Sequence, residues 1–451
     1  MSEANKTSYR HPDFLTQNDH PIHRIRCPIH GFIHFSENEK KIIDHPVFRR
    51  LRFIKQLALT NYVYPGATHT RFDHSLGVME IATRSYDMLI AKRGDLLENT
   101  FKKVDGLEKK PLAFARQILR LAALLHDIGH ASFCHAAEEV VFKHGTHEDF
   151  TEKLLKEGEL GSKIDKIFGD GFAVRVAQLI KGFPDLPPQL KILNDLISGE
   201  MDADRTDFLI RDSHYCGVEY GLFDYRRMIE CLEIYENSEQ ELEIALNNDG
   251  LHTFEALILA RYQMYTQVYY HRIRIIYDYY LKKYYESLGD ECPNNSDKII
   301  ANNDITMMNK IIEDAKNNNG NLSVWAKRIF CRDHHKVVFD TGFNADNKDS
   351  INSSRLLKNY QEKYPNYEFI LIPASASIHK QYTPGDMDEI NILELMVVYK
   401  TGEKAQPISK KSNIIGKIPK RFLCLRIFSD AKDKTLREEM RNYGIQKWNE
   451  F

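Results

Sequence analysis

The stretch LAFARQILRLAALLHD, residues 112 to 127, constrains this chain most. It is the most apolar helical run in the sequence, so a core must form around it. It ends on His126 and Asp127, with Gly129 as a terminator just beyond. Neighbouring residues diverge within a helix, but at a helix end both can turn toward one ion. Imidazole and carboxylate together suit a divalent transition metal.

A His-Asp pair alone is usually an ordinary polar pair, and two more ligands are needed to hold an ion. His74, in THTRFDHSLGV, is expected on the first turn of a helix. Asp204 lies in GEMDADRTDFLIRD. The ordered set His74, His126, Asp127 and Asp204 supplies two imidazoles and two carboxylates and leaves positions open for water and substrate. Mixed nitrogen and oxygen ligands favour manganese, iron, zinc or nickel over calcium; magnesium also stays among the candidates, and the sequence leaves the identity open. Taken singly, His74 reads equally well as a capping residue, and Asp202, Asp204 and Asp207 as a solvated acidic face. Histidine is dense nearby, at His126, His130, His135, His144 and His147.

The periodicity predicts helices over residues 37–59, 74–92, 112–127, 149–158, 172–182 and 189–198, and a long tyrosine-rich helix over 254–286. Pro46 marks a helix start, and Pro65-Gly66 a loop. The Asn-rich segments 293–303 and 314–322 and the polar segment 344–354 read as loops. From about residue 328 the period changes: KVVFD, YEFILIP, ILELMVVYK and RFLCLRIF read as strands. The expected fold class is mainly α, with a helical domain over 1–325 and a smaller C-terminal α+β domain over 326–451.

Bulk properties exclude several classes. With 451 residues, 42% of them hydrophobic, the chain builds more than one compact unit. A net charge of -2 gives no overall pull toward polyanions. No run of about 18 apolar residues appears, so no membrane span is expected. The polar start MSEANKTSYRHPD does not read as a signal peptide. Seven scattered cysteines without a C-x-x-C pair indicate neither a disulfide framework nor a thiolate zinc site, and a cytoplasmic location is expected.

The chain resembles the HD-domain deoxynucleoside triphosphate (dNTP) triphosphohydrolases, which include bacterial dGTPase-like proteins and the animal enzyme with SAM and HD domains. The likeness covers roughly residues 22 to 290. It runs through PIHGFI, IIDHPVFRRLRFIKQL, YVYPGATHTRFDHSLGV, LLHDIGHASFCHAAEE, THED, MDADRTDFLIRDSHYCG and FDYRRM. No SAM domain is seen at the N-terminus. The resemblance implies an HD-superfamily helical domain with His74, His126, Asp127 and Asp204 as metal ligands. It implies catalytic roles for Asp127 and for His130, His135 and His147 along a triphosphate channel. His135 would protonate the leaving 5′ oxygen, oriented by Glu138, which stands where the animal enzyme has Asp. Spacing of i and i+3 lets these two share a face.

Arg71, Arg205 and Arg261 match phosphate-contacting positions, with Arg205 in place of a lysine. Gln56, Leu57, Asp212 and Tyr269 match residues around the sugar; Gln56 and Asp212 would bond the 3′-hydroxyl and Tyr269 would crowd the 2′ position. Phe208 replaces a tyrosine and so loses a hydroxyl. The implied reaction is hydrolysis of a dNTP to deoxynucleoside and triphosphate. The family also implies a homo-oligomer, dimer or tetramer, switched on by nucleotides. Asp44 and Arg52 match one activator position; Val63, Tyr64 and Arg227 are compatible with a second. Arg49 and Cys27 depart from the activator pattern, and the basic residue expected near 249–253 is absent.

Two other readings stand beside this one. The same metal set serves nucleotidases and cyclic-dinucleotide phosphodiesterases. A vestigial site would leave a nucleotide sensor or a nucleic-acid-binding protein. RRLR (49–52), HRIR (271–274) and KKSNIIGKIPKR (410–421) are basic enough to touch single strands, though each reads more simply as a solvated or interface face. The triple-arginine set favours the triphosphate.

Overall fold

The computed structural model describes residues 20–143, 145–317, 320–377, 395–399, 404–418 and 421–451. His144 and part of the 410–421 basic segment lie outside the described residues. The fold is mainly α, as expected. Its centre is a pair of packed helices, Arg71–Phe101 and Pro111–Leu125. The second is buried along nearly its whole length. A tier formed by His147–Lys156, Glu159–Phe168, Phe172–Lys181 and Lys191–Ser198 packs around it, and Ala203–Cys216 lies against the first.

Local chemistry sets these helices where the site needs them. Thr70 and Asp73 form a capping box that starts the Arg71–Phe101 helix and places His74 on its first turn. One turn on, a Cβ added at Gly77 would lie 1.9 Å from a carboxylate oxygen of Asp207 and 2.4 Å from the Arg211 guanidinium. Glycine there lets the Ala203–Cys216 helix approach closely. Gly129 does the same for the His147–Lys156 helix, since a Cβ would meet the His147 carbonyl at 2.0 Å.

The tyrosine-rich run is two helices, Leu251–Met264 and Arg272–Ser287. A π-turn at Tyr265–Tyr269 and the cap at His271 divide them. The Asn-rich segments are helical and not loops: Ser296–Ala301, Asp304–Lys316 and Gly320–Phe330 occupy most of them. Asn295 and Asn303 cap the first two, so asparagine marks helix starts here. Residues 347–354 likewise begin the helix Asn347–Lys363, opened by a capping box of Asp346 and Asp349.

Strands are few. A hairpin of β1 (His23–Cys27) and β2 (Gly31–Phe35) precedes the helical core, and a second joins β3 (Leu232–Glu236) to β4 (Leu242–Asn247). Neither hairpin was expected from the sequence. Toward the C-terminus β5 (Lys336–Asp340), β6 (Phe369–Ser377) and β9 (Arg421–Ser429) form an antiparallel sheet in the order β5-β9-β6. It has its own small core of Val338, Leu356, Tyr360, Ile427 and Met440, under Asn347–Lys363 and Lys434–Asn449. The segment between returns to the helical region: β7 (Met396–Val398) pairs in parallel with β4 and carries β8 (Gln406–Pro407).

Candidate active site

His126 caps the apolar helix, and its Nδ1 bonds the carbonyl of Ala123 at 2.8 Å. That bond fixes the tautomer and leaves Nε2 as an acceptor. Nε2 is buried without a hydrogen-bond partner, 3.4 Å from Asp127 and 3.8 Å from Asp204. Nε2 of His74 faces the same point, 3.0 Å from Asp204 and 3.7 Å from Asp127. Ligand atoms of His74, His126 and Asp127 all lie within 4.8 Å of one another. A buried lone pair with no donor, facing two carboxylates and a second imidazole, fits a divalent cation.

Behind His74, Nδ1 bonds Asp207 at 2.8 Å. Asp207 also accepts from His30 at 2.6 Å and from Arg211 at 2.7 and 2.9 Å. Burial opposes charge on His74, yet the bonds to Asp204 and Asp207 raise it to about 10. Burial likewise opposes charge on Asp204, but the His74 bond brings it down to about 2. Carboxylates that compete this strongly for a proton would hold a metal cation in its place.

A second group stands beside the first. Glu138 accepts from Nδ1 of His135 and from Nδ1 of His147, each at 2.6 Å. His130 stacks on His147 with ring centroids 3.8 Å apart, and its Nε2 lies 3.3 Å from Asp127. Burial, with the charges of Arg71 and His147, keeps His130 neutral. His135 projects furthest, with 59% of its side chain exposed. It follows Phe133 and Cys134, both left-handed with φ of 59° and 52°, an uncommon conformation for non-glycine residues.

Both groups open into one cavity of about 940 Å³. Arg71, Arg205, Arg261, Gln56, Leu57, Phe208, Asp212 and Tyr269 line it too. Arg71 is ion-paired with Asp127 at 2.7 Å. Burial lowers Arg261, and the neighbouring charge of Arg205 adds to this, so an anion between them would relieve the repulsion. Asp212 accepts from Tyr269 and His69, both at 2.7 Å, while Oε1 of Gln56 is buried without a partner. Phe208 stands edge-on to Tyr269.

Residues 71–188 match the HD domain, and residues 223–367 match the HD associated region. The chain carries an HD domain. It is 37% identical over 252 residues to the uncharacterised protein YwfO of Bacillus subtilis, covering 55% of this chain and 52% of that protein. It is 28% identical to the deoxynucleoside triphosphate triphosphohydrolase SAMHD1 homolog of Dictyostelium discoideum, covering 55% of this chain and 46% of that one. The chain thus spans about half the length of the curated relatives it matches. A hypothetical protein from Aquifex aeolicus superposes with a TM-score of 0.72 at 28% identity, over 93% of this chain and 99% of that one. The resemblance to HD-domain dNTP triphosphohydrolases read from the motifs agrees with these matches.

The HD domain leans on residues that sequence reasoning passed over. Asp207, read as solvated face, is the buried centre of the His74 support. Spacing held the signal: Asp207 is three residues past Asp204, and Arg211 four past Asp207. Arg50 donates to the carbonyls of Ile128 and His130 at 2.9 and 2.7 Å. Asp304 accepts the backbone N–H of Lys55 and Phe133 at 2.9 and 2.8 Å. These come from distant chain segments, and no local pattern announces them.

The residues matched to the two activator positions have local partners in this chain. Asp44 pairs with Lys40, the Arg52 guanidinium sits 3.5 Å over the Phe72 ring, Tyr64 donates to the Gln267 carbonyl, and Arg227 meets Glu230. Among the described residues no hydrogen bond or ion pair links Asp44 or Arg52 to Val63, Tyr64 or Arg227. No helix among the described residues is long and apolar enough to cross a membrane.

Proposed function

We propose that the chain is a metal-dependent phosphohydrolase that splits a dNTP into deoxynucleoside and triphosphate. The observation that carries this reading is one cavity holding, side by side, a cation-seeking His/Asp group, an imidazole pair anchored on a carboxylate, and arginines along the wall. SAMHD1 relatives bear the name of that activity. His74, His126, Asp127 and Asp204 would hold the metal, which supplies Lewis acidity toward a phosphoryl oxygen.

The remaining roles fall to the chain's own groups. Arg71, Arg205 and Arg261 would neutralise and align the triphosphate. His135, with Nδ1 committed to Glu138, has Nε2 left to give a proton to the 5′ oxygen as the α-phosphorus–oxygen bond breaks. The attacking water delivers its oxygen to that phosphorus. His130 and His147 would border the triphosphate. Gln56, with its unpaired carbonyl, and Asp212 would take the 3′-hydroxyl. Leu57 and Phe208 would pack on the sugar, and Tyr269 would leave no room for a 2′-hydroxyl. Nucleotide activation, which the family resemblance implies, would go with assembly into a dimer or tetramer.

The test is product analysis. Purified protein is incubated with manganese and each dNTP and ribonucleotide, singly and in pairs, and the products are separated by anion exchange. Deoxynucleoside plus triphosphate from dNTPs is expected, with ribonucleotides poorly used. Release of monophosphate, or of inorganic phosphate alone, overturns the reading.

A further inference from the structure

The cavity extends beyond the residues assigned above. Its outer wall comes from the start of the Arg272–Ser287 helix and from β6 of the C-terminal sheet. Arg274 and Asp278 are four residues apart, so they share a face of that helix, and both line the cavity. Nη1 of Arg274 donates to the Tyr269 carbonyl at 2.8 Å, which fixes the guanidinium beside the sugar wall. Its Nε is buried and makes no hydrogen bond. The nearest carboxylate oxygen, on Asp278, is 3.7 Å away. Asp278 makes no hydrogen bond among the described residues. A guanidinium held by the Tyr269 carbonyl and a carboxylate free of hydrogen bonds among the described residues therefore stand next to each other on the cavity wall.

Strand β6 lines the same cavity. Leu425 of β9 bonds Thr341 through both its N–H and its carbonyl, at 3.0 and 3.1 Å. It therefore makes no ladder bond to Pro373, its partner on β6. That side of β6 faces the cavity, where the Ser375 carbonyl takes the Tyr270 hydroxyl at 2.6 Å. This part of the cavity wall thus combines a strand edge and a tyrosine with Arg274 and Asp278.

We propose that Arg274 and Asp278 read the nucleobase and select guanine, an inference that rests on the dNTP reading above. A guanidinium beside a carboxylate presents one donor followed by two acceptors. The Watson–Crick edge of guanine presents the complement, a carbonyl oxygen followed by a ring N–H and an exocyclic amine. Adenine, cytosine and thymine each mismatch at least one of these positions. The carboxylate also argues against a phosphate at this wall, because it would repel one.

The experiment measures kcat/KM for all four dNTPs with the wild-type protein, Asp278→Asn and Arg274→Lys. Unchanged melting temperatures serve as the folding check. Wild type should prefer dGTP over dATP by about tenfold or more, and Asp278→Asn should lower that ratio by a similar factor. Arg274→Lys keeps a donor but loses the fork, and should lower the ratio less. The inference is overturned if dGTP is not preferred, or if both variants reduce all four substrates equally. If the wild type hydrolyses no dNTP, the proposed function fails on its own account. Competition binding of the four deoxynucleosides then decides the base wall: equal affinities overturn it, and a guanine preference lost in Asp278→Asn sustains it.

Discussion

Two carboxylates in this molecule each hold two imidazoles, and they differ in almost everything else. Asp207 is wholly buried and binds His30, His74 and both ends of the Arg211 fork. Glu138 sits near the surface and binds His135 and His147, the first of them more than half exposed. One arrangement has every lone pair committed inside a helix–helix contact that Gly77 makes possible. The other rests on a loop with two consecutive left-handed residues. The same chemical device thus does different work. Around Asp207 it fixes the direction of the His74 imidazole, and around Glu138 it leaves the His135 imidazole exposed at the cavity.

Breaking the buried side should cost most. Asp127→Ala removes a carboxylate that faces both His74 and His126 and leaves Arg71 buried without its partner. Hydrolysis should fall by at least roughly 10³-fold, and bound metal measured by elemental analysis should drop with it. Full metal occupancy in that variant would move the cation elsewhere. Asp207→Ala strips His30, His74 and Arg211 of their shared acceptor. A loss of about 3–5 kcal/mol in urea unfolding is expected, because a buried guanidinium is left uncompensated. If unfolding stayed within about 1 kcal/mol of wild type, the contrast between the two carboxylates would collapse.

How far the sequence revealed these two regions follows from the same contrast. The convergence of His74, His126 and Asp127 was legible because His126-Asp127 ends a helix whose apolar run is unmistakable, and because THTRFDHSLGV puts His74 on the first turn of a helix. The His135–Glu138 pairing was legible from spacing of i and i+3, and it is present at 2.6 Å. Asp207 was not, since an aspartate every few residues on a helix reads as a solvated face until the partner helix is known. Arg50 and Asp304 act on backbone groups some 80 and 170 residues away, and such contacts leave no local pattern. Asparagine misled twice, because a cap and a loop share composition. The β1–β2 and β3–β4 hairpins went unread, being short strands among long helices.

On the exposed side, Glu138→Gln should separate chemistry from folding. His135 and His147 hold Glu138 well below the usual carboxylate range against the opposing effect of burial. Its share of stability is therefore present at neutral pH and lost only in acid. Conversely, the carboxylate favours the protonated form of His135, so its loss lowers the pKa of that imidazole. If His135 donates a proton, the limb of the rate profile that falls with rising pH should move to lower pH. The rate at neutral pH should drop by about 10²-fold, with little change in KM. An unshifted limb would remove His135 from the donor role.

The smallest effect concerns the clamp that joins the two sides. Asp304 accepts one backbone N–H next to Gln56 and another just before Cys134, tying the Gln56 side of the cavity to the loop that carries His135. Burial outweighs these two bonds and raises the carboxyl to about 6. The folded protein therefore holds this proton more tightly than the unfolded chain does. The stabilisation is complete below the unfolded pKa of about 4 and disappears as pH rises through about 6. Asp304→Asn cannot titrate. From about pH 4 to pH 7, wild type should lose on the order of 2 kcal/mol relative to the variant in paired denaturation curves. Parallel curves would mean that the two N–H bonds, and not burial, govern Asp304, and that the loop is held by an ordinary charged clamp.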